Sequence, residues 1–283
     1  MLFDSVNQPT EAFAQFLQDV RVPGNDLQSI DNALQARFFQ KGPDGQPLER
    51  WELKEVEISC PPERFRYHLN LCGFGMKTTP SEQGYARAAW PGALLVRAVA
   101  RLQDLMTAWD DGVRWQETIV FGGKRLLRPD RENLQEAWAL LEYPGYDPLP
   151  QASFEELGIK TELDMMRWLW EQQAVDMPQE FGTTAVFVDA SMKPAIIPGG
   201  PSVRPTTEDT IREWLQGNPT PGSLLVSSGA PYGMAQDEAF WMLLEPHGHT
   251  VETFGHDLPD GLLVEAIMRE VAGTVNRIRR ARA

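Results

Sequence analysis

The chain has 283 residues, 42% hydrophobic and 23% charged, which suffices for one large folded core or for a domain with a smaller appendage. Forty acidic and 26 basic residues give a net charge of -14, which argues against nucleic acid and anionic membranes as partners. Two cysteines are too few for a disulfide scaffold, the N-terminus does not resemble a secretory signal, and no apolar stretch approaches the roughly 20 residues of a membrane span. These features predict a cytoplasmic protein.

Residues 1–80 differ in pattern from the rest and are predicted to form a mainly helical N-terminal extension. Apolar residues at helical spacing predict two amphipathic helices, Thr10–Val20 and Asp26–Phe39, separated by Val22-Pro23-Gly24. Alternating apolar residues over Trp51–Cys60 predict a strand. Residues 81–283 are predicted to form a separate α/β domain.

From Tyr85 onward, strand-like and helix-like segments alternate, which predicts a parallel sheet in a three-layer α/β/α arrangement. The near-continuous apolar run Thr184–Asp189 further predicts a strand covered on both faces. The predicted strands are Tyr85–Pro91, Thr118–Phe121, Thr184–Asp189, Ser223–Ser228 and Thr250–Gly255. The predicted helices are Gly92–Trp109, one that begins near Pro129, one capped by Thr161, one that begins at Thr206, Met234–Leu244 and Asp260–Arg280. The arginine run at the end of the last helix is interpreted as a solvated face or as a complement to the helix dipole.

One pattern occurs twice: an apolar run breaks into a Gly- or Ser-rich turn, and a helix follows. The copies are Glu117–Glu132 and Ser223–Phe240. Loops after the carboxyl ends of parallel strands line the ligand crevice, so both turns are predicted to face one pocket.

The first turn combines small residues with cations. Gly122 and Gly123 would let a ligand approach the backbone closely, and Lys124 and Arg125 would bind a phosphate or carboxylate. The alternative is that the glycines only form the turn and that Arg125 pairs with an acid such as Glu132.

The second turn carries hydroxyl groups. Ser227, Ser228 and Tyr232 would bind a sugar or phosphate, with Gln236 one helical turn later. Val226-Ser227-Ser228-Gly229 lacks the first glycine of the G-x-S-x-G nucleophile elbow, so this turn does not predict a serine hydrolase.

The segment that follows the third strand adds further candidates. Arg204, Thr206 and Thr207 would form one wall of the crevice, although Thr206 and Asp209 equally predict a helix-capping box. Asp189 ends the strand itself and is a candidate ligand-contacting or catalytic acid, with capping of a neighbouring helix as the alternative.

The histidines differ in their predicted position. His247 and His249 lie between a helix and a strand, at the end of the sheet opposite the crevice, so no metal site is predicted for them. His256 directly follows the last strand, beside Asp257, and is the histidine predicted to act as a general acid or base.

Several short motifs occur in the order found in the YdcF-like family, which includes SanA and ElyC. They are Pro91-Gly92-Ala93, Gly122-Gly123-Lys124-Arg125, Thr161-Glu162, Arg204 with Thr206-Thr207 and Asp209, Ser227-Ser228, Pro231-Tyr232 and Gln236. The chain resembles this family from about Tyr85 to Arg280. The resemblance implies a Rossmann-like α/β/α fold, a ligand-binding turn at Gly92 and a ligand or acid–base role for Glu162. Family functions are mostly unassigned, and some bacterial members are envelope-associated.

These residues favour an enzyme that binds a nucleotide-like or phosphorylated small molecule and catalyses hydrolysis or group transfer. Arg125 and Arg204 would hold the anionic part, and Glu162 or His256 would act as acid or base. The sequence identifies no cofactor. Two alternatives remain: a non-catalytic ligand-binding or regulatory protein whose N-terminal extension contacts a protein partner, and a structural interaction protein.

Overall fold

A five-stranded, all-parallel sheet forms the centre of the protein. The computed structural model describes residues 2–43, 48, 52–56, 58, 60–132, 153–173, 184–195, 199–200, 202–258 and 264–283. The strands are β1 Gly84–Pro91, β2 Arg114–Gly123, β3 Ala185–Ala190, β4 Ser223–Ser227 and β5 Thr250–Phe254. Their order across the sheet is β3-β2-β1-β4-β5. The order reverses between β1 and β4, the topological switch point where doubly wound sheets bind ligands.

Helices cover both faces of this sheet. The α-helices among the described residues are α1 Glu11–Asp19, α2 Leu27–Phe38, α3 Pro62–Leu71, α4 Leu95–Asp110, α5 Glu162–Gln173, α6 Thr207–Gln216, α7 Gly233–Leu244 and α8 Val264–Arg282. The first face is covered by α4 and α5, and the second by α6 and α7. The predicted three-layer, Rossmann-like α/β/α fold is therefore confirmed.

The central strand β2 shows why its sequence suits this position. Val120 faces the core beneath α4 and α5, whereas Ile119 and Phe121 face the core beneath α6 and α7. Successive side chains of a strand point to opposite faces, so a strand covered on both sides needs a continuous apolar run. By contrast, β3 lies at the edge of the sheet and Val186 is 38% exposed. Phe187 nevertheless packs against the core beneath α4 and α5, and Val188 belongs to the core beneath α6 and α7, so helices cover both faces of this strand, as predicted.

The N-terminal helices share a hydrophobic core with the last helix. Phe38 of α2 and Leu69 of α3 pack in one cluster with Met268 and Val275 of α8. The terminal arginines reinforce this contact rather than facing only solvent, since Arg279 pairs with the buried Asp31 at 2.6 Å. Arg280 pairs with Glu208 of α6 at 3.0 Å, and Arg282 donates to the Asp4 carbonyl at 2.7 Å.

The extension differs from the sequence prediction in two elements. The described residues of the stretch 51–60 contain no strand. Helix α3 was not predicted, although Pro62 occupies the first helical turn, where its missing N–H costs little. From residue 133 onward, the helix predicted after Pro129 lies outside the described residues. Residues 260–263, predicted as the start of the last helix, also lie outside them.

One glycine beside the sheet is expected to be essential for stability. Gly255 has a φ of +153°, and a Cβ there would lie 2.6 Å from the backbone nitrogen of Gly229. We expect Gly255→Ala to lower the free energy of unfolding by about 3 kcal/mol, because it adds a backbone clash to a strained φ. Gly84→Ala is the matched control, since no atom lies within 4 Å of its added Cβ. Urea denaturation that gives equal stability for both variants would contradict this packing.

Candidate functional site

A cavity of about 370 Å³ opens at the carboxyl ends of the strands, beside the β1–β4 switch point. This volume is in the range of pockets that hold small organic ligands. Both repeated turns contribute to it, the first through Arg125 and the second through Tyr232. The predicted site residues that line it are Gly92, Arg125, Glu162, Arg204, Thr206, Thr207, Tyr232 and Gln236.

The lining of the cavity is rich in arginine. Two glutamates, Glu162 and Glu270, also line it, so cations outnumber anions there although the whole chain carries a net charge of -14. Among the described residues, the lining arginines are Arg97, Arg101, Arg125, Arg204, Arg269 and Arg277. Such a lining favours an anionic ligand.

Sequence reasoning identified only two of these arginines. Arg97 and Arg101 belong to the first half of α4, where the pattern indicated a packing stripe. Arg269 and Arg277 lie on α8 with Gly273 between them, at i, i+4 and i+8 on one face of the helix. This i, i+4, i+8 spacing can be read from the sequence, but the sequence does not show that α8 packs beside the cavity.

Arg101 organises the strand ends. Its side chain is 3% exposed and donates to the carbonyl oxygens of Pro91 and Gly92, both at 2.9 Å. It also donates to Ser228 Oγ at 3.1 Å, and Ser227 Oγ donates to the Arg101 carbonyl at 2.7 Å. The serines were predicted to bind ligand, whereas here both bind α4, and neither lines the cavity.

Arg125 forms the ion pair that the sequence left as the alternative. Its two terminal nitrogens donate to the two carboxylate oxygens of Glu132 at 2.7 and 2.8 Å. A weaker contact of 3.4 Å joins Arg125 to Glu162. Glu132 is fully buried and also accepts from the backbone N–H of Arg128 at 3.0 Å. Arg125 thus both lines the cavity and anchors the Glu162 carboxylate.

Glu162 is the first residue of α5 and faces the cavity. Burial raises the pKa of its carboxyl above the usual value, while the charges of Arg125 and Arg204 oppose that shift and the charge of Glu132 adds to it. A glutamate with a raised pKa retains its proton at higher pH than an exposed one. This is the property required of a general acid near neutral pH.

The glycines at the strand ends let α5 approach the sheet. A Cβ on Gly92 would lie 2.8 Å from the Glu162 carboxylate, and one on Gly122 would lie 2.6 Å from Leu163. A Cβ on Gly123 would lie 2.6 Å from a ring carbon of Pro205. Gly122 and Gly123 are not part of the cavity lining. Close packing of protein groups therefore replaces the ligand approach that was predicted for these two residues.

The start of α6 forms another wall of the cavity. Thr206 caps this helix in a capping box with Asp209, as one of the two interpretations predicted, and also lines the cavity. Thr207 Oγ1 accepts from Gln236 Nε2 at 3.1 Å. Across the cavity, the Arg97 guanidinium lies 4.2 Å from the ring centroid of Tyr232.

Three further predicted site residues lie away from this cavity. Lys124 pairs with Asp189 at 3.3 Å, at the side of the sheet where β2 meets β3, and both are partly exposed. His256 Nδ1 lies 2.7 Å from Asp104 Oδ2, which ties the loop after β5 to α4. None of the three lines the cavity: Lys124 and Asp189 pair with each other, and His256 pairs with Asp104.

Comparison of the chain with protein-family models, with curated proteins and with solved structures found no match. Within the described ranges, no helix is both long and apolar enough to cross a membrane. The same residues contain no group of three or more His, Cys, Asp or Glu placed to hold a metal ion.

The cavity also receives the N-terminal ends of four helices. Leu94 precedes α4, Glu162 begins α5, Thr207 begins α6 and Tyr232 precedes α7, and all four line the cavity. The partial positive charge at a helix N-terminus favours anions. Arginines and helix ends therefore both favour an anion here, and the Glu162 carboxyl group lies at one of these helix ends.

Proposed function

We propose that the strand-end cavity binds a phosphorylated or nucleotide-like small molecule, and that this is a cytoplasmic enzyme that hydrolyses or transfers a group on it. The observation that carries the proposal is the excess of six arginines over two glutamates in the described lining of one cavity, in a strongly acidic chain. With this net charge, an average patch of the protein surface would carry a net negative charge. A concentrated positive lining is what a ligand with more than one anionic group requires.

The arginines have different roles in this proposal. Arg101 and Arg125 donate to carbonyl oxygens, a serine and carboxylates, so they position the strand ends and Glu162. Arg97 and Arg204 come from different strand-end segments and would bind the anionic groups, and Arg277 would do so from the α8 side.

Glu162 supplies the acid–base chemistry of the proposed reaction. In hydrolysis of a phosphate ester, a water oxygen forms a bond to phosphorus and the bond to the leaving oxygen breaks. The protonated Glu162 carboxyl gives its proton to that leaving oxygen, and a proton released from the water restores the carboxyl. In group transfer, the hydroxyl group of an acceptor takes the place of water.

Ligand binding tests the anion site directly. We would screen nucleotides, nucleotide sugars and sugar phosphates by thermal shift, because a ligand that binds only the folded state raises the melting temperature. We expect Arg97→Gln and Arg204→Gln each to weaken a hit about tenfold or more through loss of a charged hydrogen bond. Arg212→Gln is the matched control, since Arg212 is half exposed on α6 and lies outside the cavity lining. The anion site would be refuted if Arg97→Gln and Arg204→Gln bound the ligand as tightly as the control Arg212→Gln does.

Membership of the YdcF-like family is part of the same proposal. Its support is the position of Gly92, Glu162 and Arg204, which belong to the motifs that resemble the family, around one cavity of a Rossmann-like sheet.

A second candidate is a ligand-binding or regulatory protein without turnover. It is favoured by the position of His256, which is paired with Asp104 away from the cavity and leaves Glu162 and Glu270 as the acids in the described lining. Tyr67, Leu71 and Met76 are exposed apolar residues of the N-terminal extension and would contact a protein partner. Recovery of a bound ligand unchanged after long incubation would favour this candidate.

A further inference from the structure

The outer part of the cavity, formed by Phe39, Arg269 and Gly273, differs in chemistry from the inner part. Phe39 directly follows α2 and is partly exposed, whereas its neighbour Phe38 is buried in the core shared with α8. The Phe39 ring thus presents an apolar surface to a cavity that is otherwise lined mostly by polar and charged groups. We call these three residues the outer subsite.

Arg269 lies over one face of the same ring. Its guanidinium carbon lies 5.5 Å from the centroid of the Phe39 ring, and its Nη1 donates to the Leu48 carbonyl. The planar guanidinium group of arginine stacks on aromatic faces, and aromatic rings stack on one another. Both groups of the outer subsite that face the cavity therefore suit a planar partner.

Gly273 supplies an independent observation. It lies in the interior of α8, where glycine is the least favourable residue after proline. The packing of the protein does not require it, because an added Cβ would meet only Arg277 Nη1, at an ordinary contact distance of 3.5 Å. The missing side chain instead leaves room in the cavity wall beside Arg269, one helical turn away.

We propose that the outer subsite holds a planar aromatic ring, so that the ligand is a nucleotide whose base stacks on Phe39. Its phosphates lie in the inner part of the cavity, among the inner arginines Arg97, Arg101, Arg125 and Arg204. This inference rests on the proposed anion-binding function of the cavity. A sugar phosphate would use only the inner part. The cavity volume of about 370 Å³ also exceeds what a phosphate group alone needs.

Isothermal titration calorimetry with ADP, ribose 5-phosphate and pyrophosphate separates the two parts of the cavity. We expect the wild-type protein to bind ADP about tenfold or more tightly than either of the other probes, because stacking of a base adds free energy of binding that they lack. Phe39→Leu should weaken ADP binding about tenfold and change pyrophosphate binding less than about twofold. Tyr67→Leu is the matched control, since Tyr67 is an exposed aromatic residue outside the cavity.

Gly273→Ala adds a test in which stability and binding change in opposite directions. Alanine in the helix interior should raise the melting temperature by about 2 °C, whereas its methyl group should weaken ADP binding in the outer subsite. Loss of ADP binding in this variant therefore cannot be attributed to unfolding.

The outcomes distinguish the subsite from the anion site. If pyrophosphate binds and Arg204→Gln weakens it, but ADP binds no more tightly and Phe39→Leu has no effect, the outer subsite is refuted and the anion site stands. If none of the three probes binds, both proposals are refuted. Selective loss of ADP affinity in Phe39→Leu and Gly273→Ala supports the nucleotide.

Discussion

If the proposed reaction is correct, Glu162→Gln is expected to lower turnover of the proposed phosphorylated substrate about 10²–10⁴-fold, while ligand affinity changes less than about threefold. Glutamine keeps the shape and hydrogen-bonding reach of the side chain but has no proton to donate to a leaving oxygen. The fold should tolerate the change because Arg125 retains its stronger partner, Glu132. Steady-state kinetics and calorimetry on the same preparation measure both quantities.

The pH profile gives this prediction a second readout. Burial raises the pKa of Glu162, and the protonated form is the active acid, so the wild-type rate should fall as pH increases through that raised pKa. Glu117→Gln is the matched control, since Glu117 is a partly exposed partner of Arg87 outside the cavity. Full turnover in Glu162→Gln would eliminate Glu162 as the acid.

Glu132→Gln is expected to lower the free energy of unfolding by about 3–5 kcal/mol, the cost of removing one partner of a buried ion pair. Glu132 is fully buried and accepts two hydrogen bonds from Arg125 and one from the backbone of Arg128. Loss of its charge leaves the buried Arg125 guanidinium with longer contacts, at 3.4 Å to the Glu162 carboxylate and at 3.4 and 3.3 Å to the carbonyl oxygens of Ala93 and Leu126. Denaturant unfolding measures the effect, and Glu117→Gln, at a partly exposed pair, should cost no more than about 1 kcal/mol.

The same variant should alter the acid–base group. The negative charge of Glu132 helps to raise the pKa of Glu162, so its removal lowers that pKa. The fall in rate with increasing pH should then begin at a lower pH than in the wild-type protein. An unchanged stability together with an unchanged pH profile would mean that Glu132 neither anchors Arg125 nor influences Glu162.

The elements of the α/β part could be predicted because their signals are local. The apolar run of β2 and the helical spacing in α4 each identify an element without knowledge of its neighbours. Capping is equally local: Thr161 with Asp164, and Thr206 with Asp209, form reciprocal hydrogen bonds within four residues. Parallel strands place the loops that follow them at one end of the sheet, so the position of the crevice followed from the order of the elements.

The role of each side chain at the carboxyl ends of the strands could not be predicted in the same way. Ser228 follows a strand as a ligand-binding hydroxyl would, but its partner is Arg101, which is 127 residues earlier in the chain. His256 follows a strand as well, and Asp104 of α4 holds it away from the cavity. A hydroxyl or imidazole group bonds to whichever polar group lies closest in space, and sequence position does not reveal that neighbour.

The sequence by itself determined the parallel α/β architecture and the end of the sheet where the cavity opens, because hydrophobic periodicity and capping depend on residues a few positions apart. Only the tertiary structure decided what forms the cavity. Helix α8 returns across the strand ends and brings Arg269 and Arg277 to the inner arginines, and the packing of α2 against α8 places Phe39 beside them. The contact between α2 and α8 joins segments more than 200 residues apart, and it depends on the apolar surface that the two helices bury against each other.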